Sequence, residues 1–393
     1  MDFELSSEQK DVQRAATEFA RGEFDPDLVL ELDESGAFPD SLWRKAAQLG
    51  FIGIHYPEAF GGQGLGFFEN LLVIEAFCRV DSGVGAALST VDLGSEILLK
   101  FGSLEQKKQL LTPLTKGETR LGLAFAESED GRDLTVLSAV AEKRTDEYLL
   151  RGKKRFVLNA PLVNAFLTLC QEPKEGWITL IVERQRDGIE IHPIEKMGLR
   201  MIPFGDVFFK EVYVPLSSRI GEEGQGLAHV NHYHHVMALR SAAQGLGTAQ
   251  GAFDRAMQHA KQREQFGRKL SQFQVIRHKL ADMAVCIEGA RWLTYKSAIE
   301  FDHGRMHPGS LWMAQLETGK RLMGVVDEAL QIFGGYGYTA EQAIEHYFRD
   351  AWAIGVDLGT EEEQKDAIAD ILLGPDTTRP PHPALSPLGR GGG

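Results

Sequence analysis

The 393-residue chain has no apolar run long enough to cross a bilayer, few cysteines and no excess of basic residues. A spanning helix needs about 20 consecutive apolar residues, so we expect no membrane span. The first ten residues, MDFELSSEQK, are polar, which argues against a signal peptide. The formal net charge of −14 argues against nucleic acids and anionic membranes as partners.

The three cysteines, Cys78, Cys170 and Cys286, lie far apart and match no metal or redox spacing. Scattered cysteines of this kind are typical of a reducing compartment. We therefore expect a cytoplasmic protein whose cysteines are reduced and serve only in packing. The apolar fraction of 43% is ordinary for a globular protein, and the length allows two or three domains.

Three stretches of the chain differ in residue pattern and composition and predict three domains. Residues 1–118 and 227–374 carry helical patterns. Residues 119–226 hold short segments rich in β-branched and aromatic residues between Gly, Pro and charged turns, which indicates a β-domain. The tail 375–393 is rich in Pro and Gly and is expected to be disordered. The predicted class is mainly α with a central β-domain.

Capping signals mark several helix starts in the first stretch. Ser6 with Gln9, and Ser103 with Gln106, each place a glutamine three residues after a serine, which is the spacing of a capping box. The apolar stretch 84–101 ends at a glycine and predicts one continuous helix.

Two glycine-rich turns bracket an amphipathic helix near the end of the chain. The first turn runs from Gln331 through Gly335, and the second is Leu358-Gly359-Thr360. Glycine lets a backbone approach a ligand closely. Thr360 is followed three residues later by a glutamate, which predicts a capped helix start that could face an anion or an electron-rich ring.

These segments resemble the C-terminal signature of the acyl-CoA dehydrogenase family. The family pattern is a Gln-x-x-Gly-Gly-x-Gly turn, an Arg-Asp pair and a Glu-Gly-Thr triplet. The turn at Gln331 and the pair Arg349-Asp350 are present, but the family's catalytic glutamate falls on Leu358. The resemblance covers about residues 5–373. It implies an N-terminal helical domain, a middle β-barrel and a C-terminal four-helix bundle, with FAD as cofactor and an acyl-CoA as substrate.

The same resemblance implies partners. The family's members are mostly homotetramers, and many pass electrons to an electron-transferring flavoprotein. A CoA ester is compatible with the acidic net charge, because it needs only a local basic patch.

Two further segments resemble the family's cover over the flavin ring. Residues 126–133 and 152–159 match Thr-Glu-Pro-x-Ala-Gly-Ser-Asp and Gly-x-Lys-x-Trp-Ile-Thr-Asn in part. Ala126, Leu158 and Arg132 replace the family's hydroxyl residues, so those side-chain hydrogen bonds must be lost or moved. Taken alone, the segments would be an acidic surface turn and an ordinary strand. The resemblance assigns cofactor contacts to Phe125, Glu127, Gly131, Arg132, Phe156 and Leu158.

A third motif, Arg-Glu-Gln-Phe-Gly at 263–267, matches the family's Arg-x-x-Phe-Gly. A guanidinium fork beside a glycine suits a pyrophosphate. In the family this motif and the Gln-x-x-Gly-Gly turn reach the FAD of a neighbouring subunit. Carried over, the cofactor contacts are Arg263, Phe266, Gln331, Gly335 and Thr360. Arg132, Leu358 and Gly359 are assigned to the substrate.

Leucine cannot accept a proton, so the position of the catalytic base is open. Some members of the family carry the glutamate near the positions of Met237 and Ala238, and neither is acidic here. Asp357 is one candidate, although its side chain is short and shifted by one residue. Asp92 is the other, as a lone acid in a largely apolar segment.

Asp92 resembles the aspartate of the cyclohex-1-ene-1-carboxyl-CoA dehydrogenase branch, which lacks the usual glutamate and performs a 1,4-elimination. The preferred hypothesis is that Asp92 is the base. The competing interpretation places Asp92 on a solvated helix face with Ser89 and Glu96.

Other chemistry on the same fold also remains open, including flavin monooxygenase or nitroalkane-oxidase activity, or a binding role without catalysis. Histidines 232, 234 and 235 suggest a metal, but they lack an acidic partner at ligand spacing. A helix-face or surface position is the favoured interpretation for them.

Overall fold

The computed structural model describes residues 4–129, 137–305, 307–357 and 360–374, apart from the side chains at 356 and 357. Gly131, Arg132, Leu358, Gly359 and the tail 375–393 lie outside the described residues, so their assignments stay predictions. Along the described chain, helices come first, strands follow and helices return. This order confirms the predicted fold class.

The first group of helices packs around an aromatic core that includes Phe19, Phe51 and Phe77. Both predicted capping boxes in this part are confirmed, at Ser6 and Ser103. The helices are α1 (Ser7–Glu23), α2 (Pro26–Ser35), α3 (Asp40–Gln48), α4 (Phe67–Val80), α5 (Ser82–Leu88), α6 (Ser95–Phe101) and α7 (Leu104–Thr115).

The prediction of one helix over 84–101 is wrong. Helix α5 ends at Leu88, and α6 begins at Ser95. Between them Gly94 adopts a φ of 92°, and Asp92 forms a parallel β-bridge to Leu121. The turn at 89–94 is buried. The segment 84–101 therefore stays largely apolar across the turn, and its composition does not show the break at the β-bridge.

The central strands form one seven-stranded sheet in the order β1-β4-β2-β3-β7-β6, with β5 paired to β4. A register shift between Lys154 and Val157 marks where β3 departs from regular pairing with β7. The strands are β1 (Leu121–Ala124), β2 (Val140–Lys143), β3 (Glu147–Leu158), β4 (Ala165–Glu172), β5 (Gly176–Glu183), β6 (Ile189–Pro193) and β7 (Phe204–Pro215).

The last helices pack on a long helix that also contacts α4. Small residues allow this approach: Gly247 lies against the backbone of Glu75. A short hairpin of β8 (Glu264–Gln265) and β9 (Arg268–Lys269) follows the long helix. The helices are α8 (Gly226–Gln262), α9 (Gln274–Asp302), α10 (Pro308–Phe333), α11 (Ile344–Asp357) and α12 (Glu361–Leu373).

A buried ionic cluster around His346 ties the two helical parts together. The imidazole lies 3.2 Å from Asp33 and Asp350 and 3.3 Å from Asp81. Asp350 also accepts the backbone N–H of Leu199, at 2.5 Å, from the segment between β6 and β7. Burial disfavours the imidazolium, but Asp350 and Asp81 outweigh it and raise the pKa of His346 well above its ordinary value.

The substitution His346→Gln is expected to destabilise the protein in a pH-dependent way. Removing one partner of a buried ion pair costs about 3–5 kcal/mol. Because the folded-state pKa is raised, this contribution is complete below about pH 6.5 and is lost as the pH rises through the folded-state value. Melting temperatures of the holoenzyme and the variant across this range test the expectation. A difference in melting temperature between the two proteins that stays constant into alkaline pH would contradict the expectation. The control is His192→Gln, at an exposed histidine.

Candidate active site

A small cavity lies between the turn before α6, α6 itself and the N-terminal half of α8. Its lining is partly apolar and partly polar. The apolar residues include Leu93, Ile97, Val236 and Met237, and the polar residues are Glu96, His232, Tyr233 and Arg240.

Asp92 lies in the turn beside this cavity and is 4% exposed. Arg240 donates from Nη1 to Oδ1 at 2.9 Å and from Nη2 to Oδ2 at 3.0 Å. Ser89 and Glu96 are buried as well, so the interpretation of a solvated acidic face is wrong. Its premise was helical spacing, and the turn at 89–94 removes that spacing.

Tyr56 is the second side chain that holds Asp92. Its hydroxyl donates to Oδ2 of Asp92 at 2.8 Å. Burial raises the pKa of Tyr56 well above its ordinary value, with a further rise from the charges of Asp92 and Glu96. The hydroxyl therefore stays protonated and acts as a donor.

Three donor contacts leave one acceptor position on Asp92. A carboxylate offers about four lone-pair sites. Oδ2 accepts from Tyr56 and Arg240, and Oδ1 accepts from Arg240 alone. Among the described residues, Oδ1 thus keeps one site on which it could take a proton.

Glu96 shares the same guanidinium. Its Oε1 lies 2.6 Å from Nη2 of Arg240 and 3.3 Å from Nε2 of His55, and its Oε2 accepts from Ser95 at 3.0 Å. Burial acts to raise the pKa of Glu96, but Arg240 and His55 overcome it and hold that pKa well below its ordinary value. Arg240 therefore faces the ionised carboxylate of Glu96 as well as Asp92.

The predicted flavin cover comes next to this cavity. The ring of Phe125 lies 5.5 Å from the ring of Tyr233, which lines the cavity. Asn159, after β3, donates to the carbonyl and the hydroxyl of Thr90, both at 3.1 Å. The start of β1, through the bridge of Leu121 to Asp92, and the end of β3 therefore meet the turn that carries Asp92.

Glu127, in the segment after β1, holds this segment through the contacts of its carboxylate. Its carboxylate accepts from Lys154 at 2.5 Å and from Ser138 and the backbone of Ala139. Burial acts to lower the pKa of Lys154, and Glu127 opposes that effect. With its carboxylate occupied, Glu127 has only its backbone left for a cofactor, and its assignment stays a prediction.

Phe156 and Leu158 lie half-buried at the irregular end of β3. Phe156 has a φ of 53°, and its ring stacks on Phe204 at 5.6 Å between centroids. A bulky residue at positive φ is strained, and such strain is common at ligand sites. Oδ1 of Asn159 is buried without a partner among the described residues. These features fit the polar edge and the face of a flavin ring.

The remaining predicted cofactor residues gather at the other end of α8. Arg263 follows α8, and its Cζ lies 5.3 Å from the ring of Tyr336, in the turn that holds Gly335. Gln331 and Gly335 are exposed. Phe266 is 93% exposed and has a φ of 52° at the tip of the hairpin.

These residues are remote from the cavity. Arg263 lies 23 residues beyond Arg240, which at 1.5 Å per residue is about 35 Å along α8. The cavity and this exposed aromatic and cationic surface therefore occupy opposite ends of the helix.

Thr360 caps α12 as predicted. The hydroxyl of Thr360 accepts from the backbone N–H of Glu363 at 3.2 Å. The carboxylate of Glu363 in turn accepts from the backbone N–H of Thr360 at 2.8 Å. Helix α11 runs antiparallel to α8, from Tyr347 beside Gly251 to Ile354 beside Gly245. It therefore points toward the part of α8 that lines the cavity.

The histidine run on α8 does not form a metal site. Among the described residues, no group of three or more His, Cys, Asp or Glu side chains is arranged to hold a metal. Burial lowers the pKa of His232 to about 4, so this histidine lines the cavity in its neutral form. All three cysteines are free. Of the helices described, none is long and apolar enough to cross a membrane.

The sequence did not predict that Tyr56 bonds to Asp92, that Glu96 bonds to Arg240, or that Arg240 bonds to Asp92. Tyr56 and Asp92 are 36 residues apart, and Asp92 and Arg240 are 148 apart. No local spacing signals a contact over such separations. The signal that was present is an arginine directly before a run of small residues, Ser241-Ala242-Ala243.

The order of domains, the cavity at their meeting point and the flavin-cover segments agree with the class that the sequence motifs predict, an FAD-dependent oxidoreductase that acts on acyl thioesters. Three family models match: the acyl-CoA dehydrogenase N-terminal domain over residues 6–118, the middle domain over 122–212 and the C-terminal domain over 224–373. The chain belongs to the acyl-CoA dehydrogenase family.

Characterised relatives align over nearly the whole chain. A 3-(aryl)acrylate reductase of Clostridium sporogenes is 34% identical and covers 92% of this chain and 97% of its own. The caffeyl-CoA reductase-Etf complex subunit CarC of Acetobacterium woodii is 33% identical (94% and 99%). Benzylmalonyl-CoA dehydrogenase of Aromatoleum aromaticum is 32% identical (94% and 99%).

Solved structures agree with this assignment. Butyryl-CoA dehydrogenase from Megasphaera elsdenii has a TM-score of 0.90 at 31% identity, over 95% of this chain and 100% of its own. An FAD complex of PigA has a TM-score of 0.89 at 28% identity (95% and 99%).

Proposed function

We propose that the chain oxidises a cyclic enoyl-CoA such as cyclohex-1-ene-1-carboxyl-CoA by 1,4-elimination, with Asp92 as the base. The observation that carries this proposal is the buried carboxylate of Asp92 beside the cavity, with one acceptor site left on Oδ1. At position 358, where the family has its glutamate, this chain has leucine.

In this reaction a proton leaves C3 of the ring and a hydride leaves C6, so that a conjugated diene remains. FAD supplies the acceptor for the hydride. Asp92 takes the C3 proton, which is acidified because the carbanion delocalises through the double bond onto the thioester oxygen. Tyr56 and Arg240 hold the carboxylate in place. Without an acid at position 358, the ordinary removal of a proton from Cα lacks its base.

The relatives support a ring-bearing acyl group. By their names, one reduces 3-(aryl)acrylates, and another acts on benzylmalonyl-CoA. Leu93, Ile97 and Val236 give the cavity an apolar lining, which is the kind of surface that a hydrocarbon ring contacts. The alternatives are α,β-dehydrogenation of another acyl-CoA with a relocated base, or monooxygenase or nitroalkane-oxidase chemistry.

The substitution Asp92→Asn should lower the rate of flavin reduction by the cyclic substrate about 10²–10⁴-fold, because the amide cannot accept the proton. Anaerobic stopped-flow bleaching of the bound flavin measures this rate. The matched control is Glu75→Gln. Glu75 is also buried and bonded to an arginine and a tyrosine, Arg291 and Tyr295, but it lies on α4 and its partners lie on α9, apart from the turn at 89–94 that borders the cavity. Unchanged bleaching in Asp92→Asn would refute the assignment, and rapid oxygen consumption with substrate bound would favour the monooxygenase alternative.

The substitution Leu358→Glu should restore ordinary α,β-dehydrogenation. A carboxylate at the family's position would raise the rate with butyryl-CoA about 100-fold above that of the unchanged chain. Leu358→Gln, of similar size but without a base, is the control. The rate of flavin bleaching by butyryl-CoA is the readout, and equal rates for the two variants would argue against this account of position 358.

We also propose a homotetramer in which Arg263, Phe266, Gln331 and Gly335 bind the FAD of a neighbouring subunit. The distance of about 35 Å from Arg240 supports this arrangement, as does the exposure of Phe266. Arg263→Ala should weaken FAD retention roughly tenfold to a hundredfold, because a charge-assisted hydrogen bond is lost. FAD content and sedimentation velocity measure the effect, with Arg14→Ala, on the exposed face of α1, as the control. Full retention of FAD, or a monomeric holoenzyme, would contradict the proposal.

We further propose an electron-transferring flavoprotein as electron acceptor and the cytoplasm as location. One relative is named as a subunit of an Etf complex. Reoxidation of the reduced enzyme by such a flavoprotein, and fractionation of cells, are the direct measurements. A reduced enzyme that fails to react with it would exclude that acceptor.

A further inference from the structure

In the cluster beside the cavity, two carboxylates share one guanidinium. Asp92, Glu96 and Arg240 are at most 6% exposed, and His55 lies 3.3 Å from Glu96 as a further group that can carry a positive charge. The comparable buried cluster of Glu75, Arg291 and Tyr295 has a single buried carboxylate. Asp92 and Glu96 therefore compete for the charge of Arg240.

The contacts of Arg240 show how its charge is divided. Nη2 lies 2.6 Å from Glu96 and 3.0 Å from Asp92. Nη1 lies 2.7 Å from the carbonyl oxygen of Ser89 and 2.9 Å from Asp92. Nη2 is therefore closer to Glu96 than to Asp92, and Nη1 is closer to the carbonyl oxygen of Ser89 than to Asp92. Charge-assisted hydrogen bonds strengthen as they shorten, so Arg240 holds Asp92 with only part of its capacity.

We propose that Glu96 and Tyr56 are positioning residues that set, in opposite directions, how readily Asp92 takes a proton. Glu96 draws Arg240 away from Asp92 and adds a like charge, which strengthens the base. Tyr56 donates to Oδ2 and stabilises the ionised carboxylate, which weakens the base and orients Oδ1. The proposal rests on the proposed function, because it concerns the base assigned there.

The groups that face Asp92 come from three elements. The segment after α3 supplies Tyr56 and, through Glu96, His55. Helix α6 supplies Glu96, and α8 supplies Arg240. His232 on α8 also lines the cavity, and because burial lowers its pKa to about 4 it adds no charge near neutrality. Glu96 and Tyr56 are therefore the two groups whose substitution tests the balance.

The test is the pH dependence of anaerobic flavin reduction by cyclohex-1-ene-1-carboxyl-CoA in the holoenzyme and its variants. In Glu96→Gln, Arg240 is released to Asp92 and the like charge is gone. The acidic limb of the profile should move about one unit to lower pH, and the plateau rate should fall about tenfold. In Tyr56→Phe the carboxylate loses a donor, and the limb should move about one unit to higher pH.

Opposite displacements of the limb support the proposal, and a limb that stays in place or moves the same way in both variants overturns it. Glu75→Gln, measured in parallel, should leave the limb unmoved. Melting temperature and FAD content report a structural effect separately. If Glu96→Gln fails to fold, Glu96→Asp, whose shorter reach also releases Arg240, must give a displacement in the same direction. A failure of the proposed function appears elsewhere, as unchanged bleaching in Asp92→Asn.

Discussion

The site depends on how one buried guanidinium is shared. A charge removed from water must find partners in the protein, and Arg240 finds them in Asp92, Glu96 and the carbonyl oxygen of Ser89. These partners belong to the turn at 89–94 and to α6, whereas Arg240 belongs to α8. The ionic contacts therefore fix the position of α8 against the first group of helices, and the cavity forms where they meet.

The sheet is joined to the same place. Asp92 is bridged to Leu121 at the start of β1, and Asn159 at the end of β3 bonds to Thr90. The turn that carries the proposed base is thus held from the helical side by Arg240 and Tyr56 and from the sheet side by backbone pairing. A second cluster, at His346, joins α2, α5 and α11. Both clusters use buried charges, so the domains can meet in few other ways without leaving a charge unpaired.

Helix α8 gives the chain two separate functional ends. Its N-terminal half lines the cavity, while Arg263 and the strained, exposed Phe266 lie beyond its C-terminal end. A rigid helix of 37 residues keeps these ends apart. This geometry is the physical basis for the proposal that each subunit completes a neighbour's cofactor site.

Local chemistry determined much of what could be predicted from the sequence. The capping boxes at Ser6, Ser103 and Thr360 involve residues three positions apart, and the order of helical and strand stretches follows from periodicity. The absence of an acid at Leu358 was also visible there, and it directed attention to Asp92.

Only the tertiary structure decided what surrounds Asp92. The break between α5 and α6 arises from pairing with β1, and Tyr56 and Arg240 reach Asp92 from 36 and 148 residues away. Electrostatic partnership depends on distance in space and on burial, and neither can be read from spacing along the chain. The sequence therefore determined that a base had to be sought away from position 358, and the packing of α8 against the turn at 89–94 decided which groups surround the candidate.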